Sequence, residues 1–392
     1  MMPVPVRRLL VVVLVAVLML ATAARPGLAA GLLRPRTPDK AADLAKKALG
    51  PDADASRQAV QALRDMGEAG KPRLTGVVRS LLSRGREVVQ RASRMVSDPA
   101  RAAGLQTSLN TTRAKALANI KVLRKGKPIQ LAHQYHDELD DLFELHEKVF
   151  EVREAVRRVM VTRSHILPIW RTLGVEDPRF SAENEAALAA KAEGILGMPV
   201  AKVTGIPEFG RGDPPEPGTT TWHYWFYAAC RKIEAYNARQ KRLMSDAEFG
   251  NLTAVNHYRE LLGILPLEAD ARLFQAARRH SKEMDDLGYF AHDSPKADHR
   301  TPFARMKLAG YEGGAGENIA MGHRTSTSVF WGWFDSPGHH QNMAAGGATA
   351  LGVGKWSVYW TQNFGRAKRL MGLDEAARNQ VAVKGAVLAP RG

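Results

Sequence analysis

Cysteine is almost absent: Cys230 is the single thiol in 392 residues. No intramolecular disulfide can therefore form, and stability has to come from packing whatever the redox compartment. Cys230 also lies far from the N-terminal apolar segment, where a lipid-anchored bacterial protein would need it, so a buried, inert thiol is expected. Long apolar runs are lacking too, with one exception. Residues 9 to 24, "LLVVVLVAVLMLATAA", follow Arg7 and Arg8 and lead into small residues. This run is shorter than the ~20 apolar residues that span a bilayer comfortably. It reads as an export signal over residues 1–30, cleaved after Ala23, Ala29 or Ala30, which places the mature chain in the periplasm, the cell envelope or outside the cell. Acidic residues are scarce where basic ones crowd. Between residues 71 and 127, fourteen Lys and Arg face only Glu87 and Asp98. Such a segment attracts polyanions in a salt-dependent way, and for an exported chain those are wall polymers, acidic glycans or lipid headgroups rather than DNA. The acidic run "HDELDDLFELHE" at 136 to 147 is expected to neutralise part of that basic face.

Strand signals are few before residue 196. Ala, Leu, Arg, Glu and Gln dominate and apolar residues recur at three and four, so residues 31–196 read as a helical region, a bundle or an extended stalk. Residues 52–82 weakly resemble one HEAT-type helical pair, although a solenoid needs about three such units. A longer helical pattern runs from Gln130 to Ile169, and Pro168 is expected to end or kink it. His133, His136 and His146 lie on this pattern. His136 and Asp140 have a spacing that suits a metal, yet no further ligands are in register, and solvent-facing side chains are expected. Residues 197–221 are crowded with Pro and Gly and read as a linker or loop. Residues 222–249, opening on "WHYWFYAAC", form a connecting helix whose aromatic cluster anchors it against a domain.

Residues 250–366 have another character. Helices are expected at about Leu252 to Leu262, Glu268 to Leu287 and Thr325 to Asp335. The stretch "GGAGENIAMG" carries Glu317 beside Asn318, and "ALGVGKW" with "YWTQNFG" alternates as a tight strand hairpin. Residues 367–392 form a basic tail, read as a short helix and a mobile end. In order and spacing, "VNHYRELLGILPL", "YFAHDSP", "AGENIAMG", "WFDSPGHHQNM" and "LGVG…YWTQNFG" resemble the CAP superfamily, also called the SCP or PR-1-like domain, in its disulfide-free bacterial form. The resemblance covers about 115 of the 392 residues. It implies an α/β/α sandwich with a polar cleft, and hence a mixed fold: a mostly helical first half, then a CAP-like domain.

Carried over residue by residue, the resemblance places His292 as the first cleft histidine and Glu317 as the cleft carboxylate. The second histidine falls thirteen residues ahead of Gly352, which is His339, and leaves His340 for the rim or solvent. Asn318, Asp335 and Ser336 would support the cleft. Ser336 stands where many eukaryotic members carry a second acidic residue, and Asp335 substitutes only if its loop turns inward. Two imidazoles and a carboxylate can offer zinc three ligands and leave a fourth position for water. They can equally form a metal-free polar cleft in which carboxylates orient neutral imidazoles. Ser294 has no base placed against it and is not read as a nucleophile.

Three functions follow from these residues. The first is an exported, non-enzymatic binding module for a lipid, a glycan or cell-wall polymer, or a protein partner, attached to anionic surfaces through its basic helices. The second is a zinc-dependent hydrolase using His292, Glu317 and His339 as candidate catalytic or metal-binding residues. The third is a helical envelope scaffold capped by the CAP-like domain.

Overall fold

The computed structural model of the protein describes residues 39–96, 99–123, 130–207 and 213–369. The expected export signal and most of the expected tail lie outside these residues. The chain divides into two compact units, one ending at Leu74 and one beginning at Thr75.

In the first unit, α1 (Lys40–Ala48) and α2 (Ala53–Asp65) are each started by an aspartate. Asp39 accepts from the Ala42 amide at 3.0 Å and Asp52 from the Ala55 amide at 2.8 Å, satisfying backbone donors that a helix start leaves open. Ala41, Ala48, Ala59, Val60 and Leu63 are buried. A short 3-10 turn then leads into α3 (Lys71–Met95).

The second unit continues α3 and adds α4 (Pro99–Leu123), α5 (Gln130–Thr172), α6 (Ala182–Leu196), α7 (Val200–Thr204) and α8 (Thr220–Gln240). Val89, Phe150, Val156, Leu188, Leu196, Val203 and Tyr224 pack into one cluster, so these helices form a bundle. Pro168 does not end α5, which runs on to Thr172. Proline removes one backbone donor, but buried Trp170 in the last turn packs edge-on against Phe180 at 5.3 Å. The Pro/Gly-rich stretch contains the short helix α7, and the aromatic cluster lies within α8, where Trp222, Trp225, Phe226 and the thiol of Cys230 are buried together.

After α8 come α9 (Asp246–Leu261), β1 (Glu268–Ala269), α10 (Ala271–Leu287), α11 (Pro302–Leu308), β2 (Gly314–Met321), α12 (Ser326–Phe334), α13 (Pro337–Met343), β3 (Ala350–Trp356) and β4 (Tyr359–Gly365). The sheet order is β1-β3-β4-β2. β1 pairs with β3 in parallel, and the other pairs are antiparallel. Helix α10 lies directly on β3 and β4. A Cβ at Gly352 would fall 2.1 Å from the Leu273 carbonyl carbon, and one at Gly354 would fall 2.2 Å from the Arg278 nitrogen, so only glycine admits this approach. The opposite sheet face buries Leu351, Val353, Trp360 and Phe364 with Tyr258, Phe330, Trp333 and Phe334. A helical first half followed by a small mixed sheet between helices is thus the mixed fold read from the sequence.

Leu109, Ile120, Leu139 and Phe143 of α4 and α5 join this same cluster, so helices and sheet share a core. Arg113 of α4 donates to the Leu261 and Glu260 carbonyls at 2.6 and 2.9 Å, closing the C-terminal end of α9. Two acidic residues of the 136–147 run are directed at the sheet domain and its connecting helix rather than at the basic segment. Asp140 bonds His257 at 2.9 Å and Glu147 bonds Arg231 at 3.3 Å. His136 and His146, expected to face solvent, are buried. His136 stacks on Tyr258 with ring centroids 5.4 Å apart, and His146 stacks on Phe150 at the same separation. Helical periodicity alone could not show that the sheet domain covers His136 and that α8 covers His146, through His223.

Candidate functional site

The site is built on β2, one of the two edge strands of the sheet. Its glycines obscure the strand signal in the sequence, but pairing with β4 from Gly314 to Met321 is continuous apart from one bulge. Because side chains alternate along a strand, neighbours Glu317 and Asn318 serve opposite faces. Glu317 is buried on the side of α10 and α11. Both its oxygens accept from Arg305 Nη2, at 3.0 and 2.8 Å, and Oε1 also accepts from His292 Nδ1 at 2.9 Å. Carrying its proton on Nδ1, the exposed His292 ring leaves Nε2 available to a ligand. His280 lies behind, with Nε2 donating to the Ala291 carbonyl at 3.1 Å and 3.8 Å from Glu317. Burial draws its pKa down to about 4.

The loop carrying His292 is held at several points. Arg305 donates to the His292 and Arg300 carbonyls, each at 2.8 Å. Glu283 of α10 accepts from Tyr289 at 2.8 Å, from His299 at 2.6 Å and from the Ser294 hydroxyl. Burial alone would raise the Glu283 carboxyl, but these hydrogen bonds outweigh it and bring it to about 2. Ser294 is thus engaged in fixing the loop.

On the other face, Asn318 donates to the His339 carbonyl at 3.1 Å and to Gln362 at 2.9 Å. It accepts from Asn342 at 2.8 Å, and Gln362 donates onward to Asn251 at 2.7 Å. This chain of amides seats α13, and with it His339, against the strand edge. His339 is half-buried, and burial, then the nearby His292, lower its pKa. His292 and His339 are near enough to influence each other electrostatically, His292 bonded to Glu317 and the His339 backbone to Asn318 of the same strand.

Three expectations need correction. His340 does not face the rim: it is fully buried, 2.8 Å from the Tyr258 hydroxyl and 2.7 Å from the Phe334 carbonyl. One residue along a helix turns a side chain by about 100°, so His340 enters the core behind His339. Asp335 is not turned inward; it pairs with His133 of α5. Ser336 sits at the N-cap of α13 with no capping hydrogen bond from its side chain and makes no bond to the cleft residues. Arg305, Asn342 and Gln362 carry no signal in the sequence. An arginine in the short, otherwise amphipathic "PFARMKL" looks solvent-facing, and the amides matter only through contacts distant in sequence.

The donor set gives a divided answer for zinc. His292 Nε2 and the His339 ring suit a metal, and a carboxylate behind His292 is a common way to orient a ligating imidazole. Glu317 does not suit ligation, because both its oxygens are held by a buried guanidinium that would repel the ion. Among the described residues, no group of three or more His, Cys, Asp or Glu is placed to hold a metal. Zinc would rest on the two histidines and on water.

Residues 252–364 match the family model "CAP: Cysteine-rich secretory protein family". Over 112 residues the chain is 39% identical to the uncharacterized protein YkwD of Bacillus subtilis, covering 28% of this chain and 43% of that protein. It is 33% identical over 129 residues to the uncharacterized membrane protein YlbC of the same organism, covering 32% and 36%. The chain thus spans less than half the length of these curated relatives. Among solved structures it is similar to an extracellular protein containing a SCP domain from Bacillus anthracis, with 33% identity and a TM-score of 0.28, over 31% of this chain and 41% of that one. Residues 252–364, the sheet with its flanking helices and the His292, Glu317 and His339 edge, are a CAP domain.

Proposed function

We propose that this CAP domain is an exported binding module, and that His292 and His339 contact its ligand: a lipid, a cell-wall glycan or a protein partner. The observation that carries this reading is the state of Glu317. A catalytic base or metal ligand needs a free carboxylate oxygen, and Glu317 instead spends both on Arg305 while fixing His292. That arrangement presents a fixed hydrogen-bonding edge, which serves recognition, and it counts against the hydrolase. Beside it lie exposed apolar side chains: Phe290, whose ring is 6.4 Å from that of Tyr359, with Met321 and Val358. A polar edge next to apolar surface fits a ligand that has both characters.

Attachment to an anionic envelope surface would come from the basic helices, where Arg84, Arg91, Arg94, Arg101, Lys115 and Lys121 are exposed. No helix among the described residues is long and apolar enough to cross a membrane. Export is proposed from the sequence of residues 1–30 and is checked by the N-terminus of the mature protein, expected just after Ala23, Ala29 or Ala30. Binding is checked by sedimenting the full chain with purified envelope at rising salt. Replacing Arg84, Arg91, Arg94 and Arg101 by Gln should flatten the salt dependence. The pair His292→Ala and His339→Ala should weaken the binding that survives high salt. Unchanged sedimentation in both variants would remove this reading.

A further inference from the structure

A cavity of about 240 Å3 opens in the helical bundle, between α4, α5 and the start of α8; Gln106, Thr107, Asn110, Arg153 and Thr220 help to line it. Arg153 is the only charged residue among those lining it, and that residue is 3% exposed. Its Nε donates to the Ile195 carbonyl at 3.0 Å, near the C-terminal end of α6. The other two guanidinium nitrogens make no hydrogen bond among the described residues. Nearby carboxylates are committed elsewhere: Glu154 to Arg157 and Arg158 at 2.6 and 2.9 Å, and Glu193 to the Val200 amide at 3.0 Å. Arg163, in the same bundle, illustrates the contrast, since it meets Glu185 directly. A buried cation without a counter-charge is costly unless something else neutralises it.

The cavity also receives the start of α8, a helix of 21 residues. Thr219 caps it by accepting from the Trp222 amide at 3.2 Å, which leaves the first-turn amides of Thr220 and Thr221 without a partner within the helix. A helix start favours negative charge. Asn110 is occupied by the Gly218 carbonyl at 3.2 Å and by His223 at 3.1 Å, and so braces that start against α4. Towards solvent the cavity shares Gly197 and Thr220 with a wider groove of about 550 Å3, whose exposed rim carries Lys202 and, of opposite charge, Glu216.

We propose that this cavity binds a phosphate group, taken end-on by the Arg153 fork and closed by the first turn of α8 with the hydroxyl of Thr220; the Thr107 hydroxyl donates to the Ala103 carbonyl at 3.2 Å and is not among the donors. A fork of two donors from α5 and the amides and hydroxyl at the start of α8 approach from different directions and so suit a tetrahedral oxyanion better than a flat carboxylate. The phosphate is either free or the terminal group of an envelope polymer, and the site is separate from the CAP edge.

Calorimetric titration of the full chain with inorganic phosphate, glycerol phosphate, a glycerol-phosphate oligomer and citrate tests this, with the melting temperature in chloride recorded for every variant. Arg153→Gln should weaken phosphate binding roughly tenfold or more, as expected for loss of charge-assisted hydrogen bonds. Ala103 of α4 also lines the cavity, at its exposed side; Ala103→Leu, which narrows the opening and leaves Arg153 in place, should do the same and keeps the test open if Arg153→Gln does not fold. Binding of inorganic phosphate assigns the free anion, and binding of the oligomer alone assigns a polymer end. No binding by any phosphate compound, equal binding of citrate, or undiminished binding in folded Ala103→Leu would overturn the proposal.

Discussion

At the scale of single residues, Arg305 and Glu317 decide the character of the edge. Each is almost fully buried as a side chain, and removing one charge of such a pair strands the other. Glu317→Gln should therefore cost about 3 kcal/mol or more in urea unfolding, while Arg305→Lys should recover part of what Arg305→Met loses. The neighbouring histidines should separate as cleanly. His340→Ala removes a ring from the core and leaves the buried Tyr258 hydroxyl unpaired, a loss of about 2–3 kcal/mol. His339→Ala, half-exposed, should cost under about 1 kcal/mol. Equal losses would contradict the placement of the doublet. His292, Glu317 and His339 were legible because each stands in a short motif with fixed spacing. Arg305 was not, because what makes it special is a carboxylate twelve positions away on another element.

At the scale of elements, legibility follows periodicity. The strand hairpin could be read from alternation, and α10 from its apolar stripe. β2 could not, because Gly314 and Gly316 dilute β propensity and the strand is recognised only through its pairing with β4. Gly352 and Gly354 fit a strand in the sequence, and the structure adds why they are glycines: α10 rests on them. Gly354→Ala should push that helix off the sheet at a cost of about 3 kcal/mol, the upper range for overpacking. A full-length protein whose melting temperature is unchanged by this substitution would show that α10 does not pack as described. The burial of His136 and His146 was hidden for a related reason, since a helix pattern shows which residues share a face but not what covers it.

For the second unit as a whole, the shared core makes bundle and sheet domain one stability unit, and buried histidines mark it. Burial depresses His136 to about 4, with His257 opposing and Asp140 and Asp137 favouring the charged form, and nearby His133 opposing it slightly. Burial also depresses His146, next to Arg113 and Arg153, to about 3, and His223, beside His146, to about 2. Their folded values lie below the ordinary value of 6.5, so the unfolded chain takes up protons first. The stability they contribute is complete above about pH 6.5 and falls progressively towards pH 4 and below. Denaturant midpoints across pH 8 to 4 should fall, and His136→Gln should reduce the fall; a midpoint independent of pH in this window would contradict the burial of these rings.

Envelope recognition, if it uses the CAP edge, needs His292 held by Glu317 with its outer nitrogen bare. Nitrogen NMR of the His292 imidazole in the full chain reads this directly. The proton should reside on Nδ1, Nε2 should carry a lone pair and shift on addition of envelope material, and Glu317→Gln should abolish the preference for that tautomer. A proton on Nε2, or an Nε2 signal indifferent both to envelope material and to Glu317→Gln, would contradict a binding edge built on Glu317.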